Sequence, residues 1–295
     1  MSRLRLVLLA LLACCAGPRG PAPGPTGEAS GVWREQSHWI PVQTDEGRVL
    51  LDARICRPLG DAPARVAVIN HGAPPLLSAR LVMAPQRCEG EVARWFLDRG
   101  FLVVFALRRG YGGTGGSYAE TSGPCAAPDY VGSGRVTAQD IAAVVDYATA
   151  LPYARPDGAV VVGQSAGGWG TVAYDSLPHP KVAALISMAG GRGGWAGGRP
   201  GRNCRPDLLA LAAGRFGASA GTPMLWVFAA NDTFFPPPIA AAMAQAFTAA
   251  GGRLDFETVG PFDGDGHALF WGRGGSAVWG PLFERYLAER GALGG

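Results

Sequence analysis

The sequence has very little lysine and few charged residues of either sign. Lys181 is the only lysine among 26 basic residues, and charged residues make up 17% of the 295-residue chain. The formal net charge of +3 is too small to predict binding to nucleic acid. Hydrophobic residues reach 48%, which excludes an intrinsically disordered chain and allows a sizeable core.

The apolar run near the start of the chain is short. Residues 6–13 fall well below the roughly 20 residues that span a bilayer. They follow Arg3 and Arg5 and precede small residues, which is typical of a secretory signal peptide. We therefore expect a signal peptide over 1–16 and an exported protein, either periplasmic or secreted. The segment "LLAC" also resembles a bacterial lipoprotein signal, in which Cys14 would be lipidated and tether the protein to the envelope membrane.

The remaining chain predicts a linker followed by one domain. Residues 17–31 are rich in proline and glycine and offer nothing to pack, so we expect a spacer there. Residues 32–295 then alternate between short apolar strands and amphipathic helices. Residues 190–221, rich in glycine and arginine, interrupt this rhythm, and we expect them to form a lid insertion over one end of the domain.

Eight stretches of the domain have the pattern of strands. Such alternation of strands and helices predicts an α/β fold with a mostly parallel eight-stranded sheet covered by helices on both faces. In such a sheet, functional sites form at the carboxyl ends of the strands. The predicted strands are 33–43, 48–56, 65–70, 101–107, 159–164, 182–188, 222–230 and 254–259.

Ser165 stands where one of these strands meets a helix. It lies in Gly163-Gln164-Ser165-Ala166-Gly167, a Gly-x-Ser-x-Gly motif in the strand-to-helix setting that a nucleophile elbow requires. Gly163 and Gly167 fit positions at which a Cβ atom would clash with neighbouring backbone. We therefore predict that Ser165 is a nucleophile on a sharp turn, with Gln164 beside it.

A serine nucleophile needs a base and an acid that orients the base. Of the four histidines, His267 follows the last strand at the predicted site end, whereas His179 should lie at the opposite end. The order of serine, acid and histidine along the chain selects His267 as the base. Asp232 follows the preceding strand and is the predicted acid.

An oxyanion hole needs two donors aimed at the developing negative charge. The Ala166 N–H, at the start of the helix after Ser165, is one candidate. The second is the Ala73 N–H, in the loop after strand 65–70. We expect His71 and Gly72 to support the shape of this loop, with His71 not acting as the base.

These motifs together resemble those of the α/β-hydrolase superfamily, in its dienelactone-hydrolase-like and prolyl-oligopeptidase-like branch. The resemblance implies a serine hydrolase that cleaves a carboxylic ester or amide of a small molecule through an acyl-enzyme, without a cofactor or metal. Dienelactone hydrolases use cysteine where this chain has Ser165, and the chain has no room for the propeller domain of prolyl oligopeptidases. The matching segments are "NHGAP" (70–74), "RRGYGGTGG" (108–116), "GQSAGGW" (163–169), "NDTFFP" (231–236) and "DGHALF" (265–270).

Three other functions remain open. An acyltransferase would use the same three residues, and a non-catalytic binding protein could use the same fold. The "GYGGTG" segment at 110–115 matches a dinucleotide-binding fingerprint, although no helix pattern follows it. The sequence does not decide the oligomeric state.

Four cysteines remain once Cys14 and Cys15 are set aside, and an even number in an exported protein indicates disulfides. Their wide spacing, without Cys-x-x-Cys, does not favour a metal site. Cys125 and Cys204 both lie in loops that leave the carboxyl end of the sheet. We therefore predict a Cys125–Cys204 disulfide that pins the lid.

Overall fold

A computed structural model describes residues 21–293, and no helix in this range is both long and apolar enough to cross a membrane. The predicted signal peptide, Cys14 and the first residues of the predicted linker lie outside the described residues. The strands are β1 (Gly24–Ser30), β2 (Glu35–Thr44), β3 (Gly47–Cys56), β4 (Arg65–Asn70), β5 (Phe101–Ala106), β6 (Ala159–Gln164), β7 (Val182–Met188), β8 (Trp195–Ala196), β9 (Arg199–Pro200), β10 (Met224–Ala229) and β11 (Leu254–Val259). The helices are α1 (Leu77–Leu81), α2 (Glu91–Leu97), α3 (Tyr130–Thr149), α4 (Ala166–Tyr174), α5 (Pro206–Gly217), α6 (Pro237–Ala249) and α7 (Gly275–Glu289), with a 3₁₀ turn at Gly266–Ala268.

The strands form one large sheet in the order β1-β2-β3-β5-β4-β6-β7-β10-β11. Strands β1, β2 and β3 pair antiparallel, as do β3 and β5, and all the pairs from β5 to β11 are parallel. Every residue of β4, β5, β6 and β10 is buried. The predicted mostly parallel α/β fold is therefore confirmed, with its central strands buried on both faces.

Helices cover the sheet on both faces. Alternate residues of β4 point to opposite sides, so Val66 and Val68 join one core while Ala67 and Ile69 join the other. The first core is closed by α3, α4, α5 and α6, and the second by α2 and α7.

The sheet has nine strands where the sequence predicted eight, because part of the predicted spacer is a strand. Within 17–31, β1 pairs with β2 through its backbone, with Gly24 opposite Trp39 and Ser30 opposite Glu35. Nearly all of its side chains are exposed. Backbone hydrogen bonding needs no apolar side chains, so the composition of this segment carried no signal for a strand.

The sequence pattern of residues 137–151 predicts a helix with Thr137 and Asp140 as its capping box, but helix α3 begins seven residues earlier, at Tyr130. The N-cap is Asp129, whose side chain accepts a hydrogen bond from the Gly132 N–H at 2.8 Å. The capping box predicted from Thr137 and Asp140 is therefore wrong, since both residues are buried inside the helix. The sequence pattern did not predict the first two turns of α3, because they contain Gly132 and Gly134 and glycine weakens helices.

The predicted insertion contains regular structure. Strands β8 and β9 form a two-stranded ribbon, and α5 packs against α3 and α6. Pro206 at the first turn of α5 is a recognised start signal for a helix. Only part of 190–221 therefore remains available as a lid over the end of the sheet.

Two disulfides join the four cysteines of the described residues. Cys56, at the end of β3, is bonded to Cys88, and both are fully buried in the second core. Cys125, in the loop before α3, is bonded to Cys204, in the loop before α5.

His179 precedes β7 and therefore lies at the opposite end of the parallel sheet from Ser165. Its Nδ1 is 2.5 Å from the Leu177 carbonyl oxygen, and its Nε2 is 3.2 Å from Asp175 Oδ1. The Leu177 carbonyl only accepts, so Nδ1 carries a proton, whereas Nε2 also lies 2.8 Å from the Thr222 hydroxyl, which can donate or accept. The hydrogen bond to Asp175 raises the pKa of His179 above its ordinary value.

We expect His179→Gln to lower Tm by about 2–4 °C at pH 5.5, the size expected for about 1 kcal/mol in a chain of this length. The difference should shrink at pH 8.5, because a raised pKa stabilises the fold below about pH 6.5 and this stabilisation is lost as pH rises through the folded pKa. Thermal unfolding at both pH values measures this.

His38→Gln is the matched control. Burial lowers the pKa of His38 to about 4, so below about pH 6.5 the unfolded chain binds the proton more tightly. That variant should be less destabilised at pH 5.5 than at pH 8.5. The same trend in both variants would contradict the raised pKa of His179.

Candidate active site

Ser165 occupies a sharp turn between β6 and α4. Its φ of 54° and ψ of −117° are rare for a residue with a side chain and cost of order 1–3 kcal/mol. A Cβ on Gly163 would lie 2.1 Å from the Gly167 carbonyl oxygen, and one on Gly167 would lie 2.6 Å from the Asn70 carbonyl oxygen. The two glycines therefore permit the close approach that the turn requires. The Ser165 hydroxyl does not cap α4 and lines a surface cavity.

His267 lies in the 3₁₀ turn after β11, beside the buried Asp232. Its Nδ1 is 3.1 Å from Asp232 Oδ2 and 3.2 Å from Oδ1. Asp232 Oδ1 also accepts from the Phe234 N–H at 2.8 Å and the Phe235 N–H at 2.9 Å, which fix the carboxylate. Because a carboxylate only accepts, Nδ1 carries the proton and Nε2 is free to act as a base.

Two further contacts hold His267 near the serine turn. The Gln164 amide donates to the His267 carbonyl oxygen at 3.2 Å. The His267 ring stacks on Phe234, with centroids 4.1 Å apart and planes at 21°, and Phe234 in turn stacks on Trp195. The hydrogen bonds of the His267 ring in residues 21–293 go to Asp232 and not to Ser165. Catalytic hydrogen bonds of this kind often close only when substrate binds.

The loop after β4 passes directly beside Ser165. A Cβ on Gly72 would lie 2.4 Å from Gln164 Oε1 and 3.2 Å from the Ser165 Cβ. Ala73 and Ala166 line the same cavity as Ser165. The first N–H groups of a helix have no acceptor within it, so the Ala166 N–H is available to a ligand.

His71 connects this loop to the loop after β5. Its Nε2 accepts from the Arg108 N–H at 3.2 Å, and its Nδ1 lies 2.7 Å from the Gly72 carbonyl oxygen. These partners place the ring proton on Nδ1. Burial lowers the pKa of His71 to about 3, so the ring is neutral. Its two nitrogens are occupied by backbone groups, unlike those of His267.

Glu120 is the centre of a buried cluster that the sequence analysis did not identify. Its carboxylate contacts Arg108 at 2.8 Å, Arg192 at 2.9 Å, Thr137 at 2.7 Å and the Tyr111 hydroxyl. Burial alone would raise the pKa of Glu120, but the guanidinium groups of Arg108 and Arg192 outweigh burial and hold that pKa well below its usual range. Glu120 therefore binds three separate segments together through ionic and hydrogen bonds.

The cavity beside Ser165 has a volume of about 220 Å³. One wall comes from the loop before α3 and another from the segment after β7, and the Cys125–Cys204 disulfide joins these two segments. The lining residues are Ala73, Pro74, Pro75, Tyr118, Thr121, Ser122, Ser165, Ala166, Gly191, Arg192, Gly193, Gly194, Trp195, Phe234 and Phe235.

The glycine-rich segment 110–115 lies in the loop between β5 and α3. No helix occurs between residues 107 and 129, so the element that a dinucleotide-binding fingerprint opens is missing there. Nor do residues 21–293 contain three His, Cys, Asp or Glu side chains grouped to hold a metal ion.

We expect Glu120→Ala to lower the free energy of unfolding by about 3–5 kcal/mol, because it leaves two buried guanidinium groups without their carboxylate. Urea denaturation measures the loss. The control is Glu89→Ala, which removes an exposed ion pair to Arg87 and should change stability by less than about 0.5 kcal/mol. Equal losses in the two variants would show that Glu120 is not a structural centre.

We expect the double variant Cys125→Ser/Cys204→Ser to loosen the segment after β7, so that trypsin cleaves after Arg192 and Arg202, the arginines there that no proline follows. The bond closes a separation of 79 residues, worth about 4–5 kcal/mol in an entropic treatment. The matched double variant Cys56→Ser/Cys88→Ser should lose stability without cleavage in that segment. Peptide mapping of the non-reduced protein checks the pairing, and free thiols at Cys125 and Cys204 would refute it.

Comparison with known protein families finds one match, which covers part of the chain. The model of the prolyl oligopeptidase family matches residues 89–182, a segment that runs from α2 to β7 and includes Ser165. Comparison with curated protein sequences finds no match.

Several solved structures share the fold at low sequence identity. Acetyl xylan esterase 1 from Thermoanaerobacterium sp. has a TM-score of 0.60 and 15% identity, covering 92% of this chain and 88% of that chain. A protein from Klebsiella pneumoniae classed as a dienelactone hydrolase has a TM-score of 0.56 and 15% identity, covering 86% and 98%. Dipeptidyl peptidase 4 from Porphyromonas gingivalis has a TM-score of 0.60 and 16% identity, covering 86% of this chain but 35% of its own. The chain therefore has the fold of these α/β-hydrolases, and its residues 89–182 are similar to the prolyl oligopeptidase family.

Proposed function

We propose that the chain is an exported esterase that hydrolyses a small carboxylic ester through Ser165, His267 and Asp232. The observation that carries the proposal is the pairing of a serine on a strained turn with a histidine oriented by a buried aspartate. A serine alone is a weak nucleophile, and the pair supplies the base it needs. Amide hydrolysis and acyl transfer to an alcohol would use the same residues.

The first half of the reaction acylates the serine. Ser165 Oγ attacks the ester carbonyl carbon while His267 Nε2 takes the hydroxyl proton, and Asp232 stabilises the resulting imidazolium. The carbonyl oxygen becomes an oxyanion between the Ala73 and Ala166 N–H groups. When the intermediate collapses, the bond to the alcohol breaks and the alcohol takes the proton from His267.

The second half returns the enzyme to its starting state. His267 takes a proton from a water molecule, whose oxygen attacks the acyl carbon. Collapse of this intermediate breaks the bond to Ser165 Oγ, which regains the proton, and releases the carboxylic acid.

Two observations favour a small ester as the substrate. The cavity beside Ser165 has a volume of about 220 Å³, which suits a small group. The shared fold covers 88% of acetyl xylan esterase 1, which is named as an esterase, but only 35% of dipeptidyl peptidase 4.

Export is supported by the two disulfides, because such bonds persist in oxidising compartments outside the cytosol. We include in the proposal the signal peptide over 1–16. The alternative form of the proposal is a lipoprotein signal, in which Cys14 is lipidated and holds the enzyme at a membrane. Mass spectrometry of the mature N-terminus separates the two.

We expect Ser165→Ala to reduce hydrolysis of p-nitrophenyl esters by at least about a thousandfold, because the nucleophile is gone. Labelling by a fluorophosphonate probe should be lost as well. Ser176→Ala, at the other end of α4, is the matched control and should keep both. Undiminished labelling of Ser165→Ala would overturn the nucleophile assignment.

His267→Ala should be equally inactive, and His179→Ala should hydrolyse esters at nearly the wild-type rate below its unfolding temperature. Reversal of these two results would mean that the base lies at the other end of the sheet. Product analysis with an added alcohol tests the alternative, since ester exchange in preference to hydrolysis would identify an acyltransferase.

A further inference from the structure

The cavity beside Ser165 is lined by one charged residue, Arg192, and by no acidic residue. Apart from Ser165, three neighbouring side chains offer hydroxyl groups: those of Tyr118, Thr121 and Ser122. The Arg192 Nη1 lies 3.3 Å from the Tyr118 hydroxyl. The polar side chains that line this cavity are therefore hydrogen-bond donors that include a cation and no anion.

The positive charge at Arg192 is not balanced inside the protein. Arg108 and Arg192 share the single carboxylate of Glu120, and the side chains of the three residues are 2%, 8% and 3% exposed. The adjacent Arg109 pairs one to one with Asp140, so it leaves no carboxylate for Arg192. Because a guanidinium group stays charged in proteins, the cluster keeps one positive charge in excess.

A second cation lies close to the same wall. The Arg80 guanidinium lies 3.7 Å from the centre of the Tyr118 ring and makes no ion pair with any residue between 21 and 293. An unbalanced charge that is largely removed from water is costly unless a partner neutralises it. A bound anion at the cavity would be such a partner.

We propose that the substrate is an ester that also carries a carboxylate, and that Arg192 recognises this carboxylate. This inference rests on the proposed function and names the substrate class of the same site. Arg192, Tyr118 and the hydroxyls of Thr121 and Ser122 bind the charged group, while Ser165 attacks the ester carbonyl. Arg192 thus determines specificity and takes no part in bond cleavage.

Two matched pairs of esters test the proposal. The first is mono(4-nitrophenyl) adipate and its terminal carboxamide analogue, in which the charge lies on the acyl part. The second is 4-acetoxybenzoate and 4-acetoxybenzamide, in which it lies on the leaving group. In at least one pair, we expect kcat/KM to favour the charged ester by about ten- to hundredfold, the size expected for hydrogen bonds to a charged group. Ratios near one in both pairs would overturn the proposal.

Arg192→Gln should bring the ratio of kcat/KM between the charged and the neutral ester close to one, because kcat/KM falls more for the charged ester than for the neutral ester. This variant is expected to fold, since it leaves Glu120 and Arg108 as a balanced pair. Arg192→Lys should retain part of the preference, because it keeps the charge but not the planar fork of donors. Arg199→Gln, which removes an exposed arginine that does not line the cavity, is the control and should keep the wild-type ratio.

Fluorophosphonate labelling of Ser165 provides a readout that does not depend on turnover. Adipate should slow labelling of the wild type more than adipamide does, and this difference should disappear in Arg192→Gln. Equal protection by the two compounds in the wild type would also count against the proposal. Failure to hydrolyse any ester would contradict the proposed function, whereas hydrolysis without a charge preference contradicts only this inference.

Discussion

The Glu120 carboxylate is the interaction on which the walls of the cavity depend. Through Arg108 it reaches the loop that carries His71, through Thr137 it reaches α3, and through Arg192 it reaches the segment after β7. These segments are distant in the chain and have little regular structure where they meet. Ionic contacts in a buried site are strong and directional when their geometry is good, so one carboxylate can set the positions of all three segments.

This arrangement separates the rigid part of the site from the part that selects the substrate. Ser165 and Ala166 belong to a strand-to-helix turn whose shape is imposed by close backbone packing. Asp232 and His267 follow neighbouring strands; Asp232 accepts from backbone N–H groups, and the His267 N–H donates to Asp265 Oδ1. In the proposed reaction, the groups that would contact the rest of the substrate come instead from the loops around Glu120. Changes in these loops can alter specificity without moving the nucleophile.

Much of the fold was predictable because its central strands are local, continuous apolar runs. Strands β4, β6 and β11 begin and end at the predicted residues, and the order of Ser165, Asp232 and His267 along the chain pointed to the residues that the fold brings near one end of the sheet. The start of α3 was missed because Gly134, a poor helix former, is required there by packing. A Cβ on Gly134 would lie 2.9 Å from the Phe216 ring. Here tertiary contacts override local propensity.

Other parts of the site had no local signal. Glu120 lies in an irregular loop, twelve residues from Arg108 and 72 residues before Arg192, and nothing in its neighbourhood marks it as buried. The sequence does contain signals for helix α5, namely Pro206 at its start and the apolar run "LLALAA". The helix was not predicted because the residues before it are rich in glycine. The stacking of Phe234 on His267 depends on how two loops meet and could not be predicted from either loop alone.

The two edges of the sheet are built so that the protein does not extend its own sheet with another copy. Strand β1 contains Pro25, which has no N–H to donate, and its pairing with β2 is interrupted by a shift in register. At the other edge, Glu257 of β11 binds Arg285 of α7 at 2.6 Å, and Asp255 binds Arg290, the residue after α7, at 3.2 Å, which places charges along the open strand. For an enzyme exported as proposed above, such edges are an advantage, because outside the reach of cytosolic chaperones its resistance to aggregation must come from its own sequence.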